Sequence, residues 1–319
     1  MNLKESKQSN CLVAMYLYEM PLERNLAECI YTLAEQSKPV DLLIYTHGLS
    51  SENIERIKEI TLAPYYSISK REENGEIKEE IVKATKSVNC SHVICETPLS
   101  FAQIFNKTFN IADESGYDFI SVIEPDDSYS LKWFNTVETY ASENPEIGVF
   151  LPMMRNSING SFSGLLNEAS WAEGMAEEAG KIDVNMLMRY NCVNPLGALY
   201  KISAIKEYSE AEKDEADNSI SGTFKPMKES MKLTHYYEFF LRMVYNDLKI
   251  MTIPRIGYEL KIVRKNTFND STCKLPQDIT TYPLEKGGIT PEEGRYWFEL
   301  AKKEYFFEED RKKIYEPSY

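Results

Sequence analysis

The sequence predicts an α/β fold with a mixed, mainly parallel sheet flanked by helices and a helical extension at its C-terminal end. Three observations carry this. Apolar runs of strand length alternate with stretches of helical spacing from the start of the chain. Those runs are nearly continuous in apolar and β-branched residues, as in strands covered on both faces. Carboxylates then gather where one such run leaves the core, at Glu124-Pro125-Asp126-Asp127.

In order, Cys11 to Tyr18 reads as the first strand. Leu22, Leu26, Ile30 and Leu33 share one helical face, so a helix follows over Leu22 to Gln36. Asp41 to Thr46 is a second strand, and a turn at Thr46-His47-Gly48 leads to an amphipathic helix over Asn53 to Ile60. Strand, helix, strand, helix in short order argues for parallel strands with right-handed crossovers. Ser67 to Lys86 is strongly charged and reads as a surface excursion. His92 to Cys95 is a short strand, and Phe101, Ile104, Phe105, Thr108 and Ala112 mark a helix leading to the strand Phe119 to Ile123.

Trp133, Val137 and Tyr140 mark the next helix, and Ile147 to Met153 a strand closed by Pro152. Leu151 to Asn191, rich in glycine, reads as irregular, and Cys192 to Tyr200 as a returning strand. Glu207 to Ser221 reads as a solvated loop or a lid. Tyr237, Phe240, Leu241, Val244 and Leu248 form a helical stripe, followed by a strand over Lys249 to Pro254. Pro276 to Gly288 is turn-rich, and Pro291 to Tyr315 reads as a further helix. The expected division is a main domain over 1–267 and a C-terminal connector and helix over 268–319.

Three acids within four residues repel one another, and a divalent cation with a bound phosphate relieves that repulsion. Glu124, Asp126 and Asp127 are therefore candidate metal ligands. The alternative is that Asp126, Asp127 or Ser130 caps the following helix. In open parallel sheets ligands collect beyond the carboxyl ends of the strands, where Tyr18, Thr46 and Asp126 emerge. Glu238 lies at the edge of its helix's apolar stripe, where a carboxylate can serve as a general base; the alternative is an exposed i,i+4 ion pair with Arg242.

The chain has 319 residues, 43% of them hydrophobic, with 21 tyrosines and a net charge of −14. Such a charge opposes binding to bare nucleic acid or anionic lipid. No apolar run has membrane-spanning length and no signal core begins the chain, so no membrane association and a cytoplasmic location are expected. Six dispersed cysteines fit reduced, packed thiols, and Cys90, His92 and Cys95 lack the second ligand pair that zinc would need.

Phe105-Asn106-Lys107-Thr108-Phe109-Asn110-Ile111-Ala112 followed by Tyr117 to Asp127 resembles the core of family-2 glycosyltransferases, in which an Arg-Asn-x-Gly-Ile-x-x-Ala helix precedes a strand ending in Asp-x-Asp-Asp. The resemblance runs from about Cys11 to Thr267. It implies a GT-A, Rossmann-type fold and an inverting transfer from a nucleotide sugar, a UDP-sugar favoured. Glu124 and Asp126 stand at the Asp-x-Asp carboxylates and Asp127 after them, holding Mn²⁺ or Mg²⁺ on the diphosphate. Glu238 matches the general base; Tyr18, Thr46, His47 and Asn106 would line the nucleotide pocket, and Lys261 and Arg264 would meet the diphosphate.

The chain departs from the pattern in several places. Phe105 replaces the arginine of Arg-Asn, Thr46-His47-Gly48-Leu49 the Asp-Asp-Gly-Ser turn, and Val263 a metal-binding histidine. Phe239 takes the place of the base motif's second acid. Lys232 to Pro254 also resembles a phage-encoded branch of the family, which would admit modified DNA bases or virion components; the acceptor is otherwise open among a glycan, a protein and a modified nucleobase. Two functions compete: a metal-dependent glycosyltransferase, and a GT-A-fold binding or structural protein without catalysis. A different nucleotidyl or phosphoryl transferase is a weaker third, because no Gly-x-x-x-x-Gly-Lys loop is present.

Overall fold

The first strand, β1 (Cys11–Leu17), is buried along its whole length and lies at the heart of the sheet. The computed structural model describes residues 3–71, 77–158, 160–189, 193–209, 211–213, 220–230 and 235–262. The connector and helix expected over 268–319, and Arg264, lie outside them.

Helix α1 (Glu23–Ala34) buries Leu26, Ile30 and Leu33, the face that the spacing predicts. Strand β2 (Asp41–His47) pairs in parallel with β1, and α2 (Ser51–Leu62) starts where the Ser50 hydroxyl accepts from the Asn53 N–H. The expected surface excursion is instead a two-stranded hairpin, β3 (Tyr65–Arg71) and β4 (Ile77–Lys83). Its charges disguised it: Arg24 of α1 donates to the Ser67 carbonyl at 3.1 Å and pairs with Glu79.

Strand β5 (Asn89–Cys95) extends the sheet beyond β2. Helix α3 (Phe101–Ser115) opens with a capping box of Ser100 and Gln103 and closes at Gly116, whose φ of 76° suits a left-handed cap. It delivers the chain to β6 (Phe119–Ile123), parallel to β1 on its other side.

After the two-residue β7 (Ser128–Tyr129), α4 (Trp133–Glu143) begins without a side-chain cap, so Asp126, Asp127 and Ser130 are not its caps. Strand β8 (Ile147–Ile158) runs through Pro152 instead of stopping there. The proline falls where β8's neighbour on one edge changes: the pairing at Val149 and Phe150 has ended, and that beginning at Met154 has not started. Its missing N–H therefore costs no ladder bond on that edge.

The stretch expected to be irregular holds β9 (Ser161–Leu166), a short 3₁₀ turn and α5 (Val184–Arg189). The returning strand is only β10 (Leu199–Lys201), antiparallel to both β6 and β8, followed by α6 (Ile202–Glu207). Within the expected loop or lid, β11 (Ala211–Lys213) pairs with β12 (Ile220–Phe224).

Helix α7 (His235–Tyr245) leads to β13 (Lys249–Ile262), parallel to β8 and continuous through Pro254. From Ile253 to Tyr258 β13 takes five residue steps while β8 takes two, from Pro152 to Met154, so an irregularity interrupts the ladder. The order is β5-β2-β1-β6-β10-β8-β13-β7, with β9 on β8. Because β10 opposes both β6 and β8, the strands β5, β2, β1, β6, β8 and β13 all end at one edge. One hydrophobic core joins the sheet to its helices. Among the described residues no helix is long and apolar enough to cross a membrane.

Candidate active site at the mouth of the parallel strands

The acidic stretch leaves β6 as a tight turn, closed by the Asp127 N–H donating to the Glu124 carbonyl at 3.1 Å. Glu124 and Asp126 are half-buried on it, and Asp127 is buried. Tyr18, 37% exposed, leaves β1 beside them. Its phenol is pushed up to about 12, first by burial and then by the charges of Glu19, Glu124 and Asp126. The sequence-predicted Tyr18, Glu124 and Asp126 therefore form one electrostatic neighbourhood.

Helix α1 supports the turn from beneath. The Cys29 thiol points to the Glu124 carbonyl at 3.5 Å, and burial, then Asp127, drives its pKa well up. The Thr32 hydroxyl accepts from the Tyr129 N–H at 3.2 Å, and the Gln36 amide donates to the Ser130 carbonyl at 2.8 Å.

Strand β13 supports it from the side. The Tyr258 hydroxyl donates to Asp127 Oδ2 at 2.7 Å and accepts from the Glu124 N–H at 3.2 Å. The Lys261 N–H donates to Asp127 Oδ1 at 2.8 Å, and its ammonium lies 3.5 Å from Glu28 of α1. Burial raises the Asp127 carboxyl to about 7, outweighing the bonds from Lys261 and Tyr258 that favour its charged form. Tyr258 itself is seated edge-on against Tyr129 at 5.1 Å, over Gly197, where a β-carbon would come within 2.3 Å of its ring.

Thr46 and His47 end β2 at the same edge. Thr46 is buried with its hydroxyl 3.5 Å from the Val93 carbonyl, and His47 Nδ1 lies 3.1 Å from the Cys95 carbonyl, so both lean on β5.

Asn106 belongs to a second polar cluster. Its carbonyl accepts from the Met227 N–H at 2.9 Å while its amide donates to the Met227 carbonyl and to Glu229. One helical turn on, Asn110 makes the same two-bond ring with Phe224. The two asparagines thus fasten residues 224–229 along α3. That segment carries Lys228 and the Pro226 carbonyl, which Arg242 also contacts.

Glu238 is 0% exposed, with Oε1 3.0 Å from Arg242 Nε and 3.6 Å from Lys228 Nζ. The i,i+4 pair weighed for an exposed helix exists, but inside the core. Arg264 lies outside the described residues.

Among those residues, no group of three or more His, Cys, Asp and Glu is arranged to hold a metal ion. The expected set of Glu124, Asp126 and Asp127 does not converge, for a visible reason: both oxygens of Asp127 are taken by β13. Sequence reasoning also missed Tyr258, Glu28 and Cys29 as neighbours of the turn. Tyr258 follows Pro254, where the sequence predicts the strand to end, and Glu28 lies outside the stripe of Leu22, Leu26, Ile30 and Leu33.

No family model matches the chain, and no curated protein matches it. Solved structures resemble it at low identity. The complex of residues 1–349 of S. aureus TarS with UDP-GlcNAc is 13% identical, with a TM-score of 0.56 over 95% of this chain and 69% of that one. A second structure of TarS 1–349 is 14% identical, with a TM-score of 0.49 over 79% of this chain and 60% of its own. The first likeness is one of fold, and it bears out the GT-A-like, mainly parallel α/β architecture expected from the sequence.

Proposed function

We propose that this chain is a glycosyltransferase that moves a sugar from a nucleotide-sugar donor, a UDP-sugar by preference, to an acceptor hydroxyl with inversion. The observation that carries the reading is the convergence of Tyr18, Glu124, Asp126 and Lys261 at the shared edge of the parallel strands. That edge is where ligands bind in open α/β sheets. The fold's resemblance to a protein solved with UDP-GlcNAc supports it.

In the reaction the anomeric carbon's bond to the diphosphate oxygen breaks and its electron pair leaves with the nucleoside diphosphate. The acceptor oxygen supplies the new bond, and its proton passes to a base, for which Glu238 is the proposed residue. Lys261 would counter the charge growing on the leaving group. Because Asp127 is tied to β13, the reading routes no step through Mn²⁺ or Mg²⁺. The acceptor would be a glycan, a protein or a modified nucleobase.

Calorimetry of the protein against UDP, UDP-GlcNAc and other nucleotide sugars, with and without Mn²⁺, tests the reading. Binding should appear for at least one donor and weaken by about 10-fold in Lys261→Met, the loss of one charge-assisted contact to the diphosphate. Silence across the panel would sink it.

A second reading, binding without catalysis, is favoured by one observation: Glu238 is enclosed and its carboxylate faces two cations. In that case Glu238→Gln binds the donor as the wild type does and neither protein transfers sugar.

A further inference from the structure

Asp127 is the most deeply buried acid of the turn, 1% exposed, and both of its oxygens accept from β13. The Tyr258 hydroxyl that donates to it also accepts from the Glu124 N–H, so a single phenol touches the first and last residues of the turn. Beyond this point β13 pairs with β7 at only two positions, Tyr258 with Tyr129 and Glu259 with Ser128. The opposite edge of β13 pairs with β8 through Lys261 and Ile262, Lys261 facing Ser157, and on the edge toward the turn it is Asp127 that meets the Lys261 N–H.

The Lys261 side chain keeps 23% of its surface open and touches Glu28, itself paired with Arg24. Lys261 also influences the Cys29 thiol beneath the turn, lowering its pKa against the effect of burial. A diphosphate entering beside Glu124 and Asp126 needs positive charge close by. Lys261 is the cation that the backbone ties to that turn.

We propose that Asp127 and Tyr258 are positioning residues that clamp β13 to the acidic turn and so present the Lys261 ammonium to the diphosphate of the donor. This rests on the glycosyltransferase reading and assigns Asp127 a role different from metal binding. The clamp acts through Lys261 and touches no reacting atom.

The test is a double-mutant cycle on binding of UDP, with GDP, CDP and ADP as further probes, in EDTA and in Mn²⁺. Lys261→Met should weaken binding about 10-fold, as expected for one charge-assisted contact. Tyr258→Phe should weaken it by a similar factor, and the double variant should be no weaker than Lys261→Met alone. Thermal unfolding of each variant reports folding separately. If Tyr258→Phe does not fold, Asp127→Ala takes its place in the cycle, since it removes both oxygens that hold Tyr258 and the Lys261 N–H.

A merely structural Tyr258 would lower the melting temperature and leave UDP affinity unchanged, or its penalty would multiply with that of Lys261→Met. Either result overturns the proposal alone. Absence of binding by the wild type to every probe overturns the glycosyltransferase reading and this proposal together.

Discussion

Replacing Glu238 tests whether the core of the second cluster is held by charge. In Glu238→Leu, Arg242, with only 15% of its side chain exposed, loses the carboxylate 3.0 Å from its Nε. Breaking a buried pair from one side costs about 3–5 kcal/mol, because the surviving charge is stranded in a poorly solvating interior. Arg242→Met strands Glu238 in turn, with Lys228 3.6 Å away and 36% exposed to share part of the load. The double variant strands neither. Apolar replacement of both partners is close to neutral, and the lost bond from Arg242 to the Pro226 carbonyl removes about 1 kcal/mol. The double variant should therefore lie within about 2 kcal/mol of the wild type, against singles at about 3–5 kcal/mol. Urea unfolding, with the slope checked for constancy, measures all three. Singles whose costs simply add in the double variant would refute the buried-pair account.

Two further predictions concern the turn. Burial lifts the Asp127 carboxyl from 3.8 to about 7, so the folded protein holds a proton that the unfolded chain releases between those values. Its contribution to stability is complete below about pH 4 and is lost as pH rises through 7, amounting to at most about 4 kcal/mol at 1.36 kcal/mol per unit. Asp127→Asn should remove that slope from a series of urea melts between pH 4 and 8; an unchanged slope would count against it. Gly197→Ala places a methyl within 2.3 Å of the Tyr258 ring at a φ of 69°, and should cost about 2–4 kcal/mol from overpacking and left-handed strain together. A melting temperature equal to the wild type's would contradict that packing.

The parts of the fold built from local pattern were legible. The apolar runs of β1 and β2, the stripe of α1 and the apolar face of α3 each lie within one short window of sequence. Prolines misled, because the rule that they end strands assumes a ladder bond on the missing N–H. Pro152 sits where one edge pairing has stopped and the next has not begun, and β13 continues through Pro254. The hairpin of β3 and β4 was hidden because its charges pair between the two strands, Lys70 with Glu80, and across to α1, Glu79 with Arg24, partners that no local pattern shows.

Sequence placed Glu124 and Asp126 after the strand Phe119 to Ile123, and they follow β6 at its carboxyl end. It could not distinguish them from Asp127, since three neighbouring acids look alike until their partners are known. The partner that separates them, Tyr258, is 131 residues away. The partners of Asn106 lie equally out of reach of a local window: the residues that occupy its amide, Met227 and Glu229, are far along the chain.

The five steps that β13 takes against two in β8 leave three residues over, an odd number. Since side chains alternate sides along a strand, an odd surplus exchanges inside for outside in everything downstream. Tyr258 and Lys261 owe their facings to that count. Trimming one residue between Ile253 and Tyr258 would turn the phenol outward and carry the lysine to the opposite side, whereas trimming two would keep their orientation. Grafts or deletions in this segment should be planned by parity before composition.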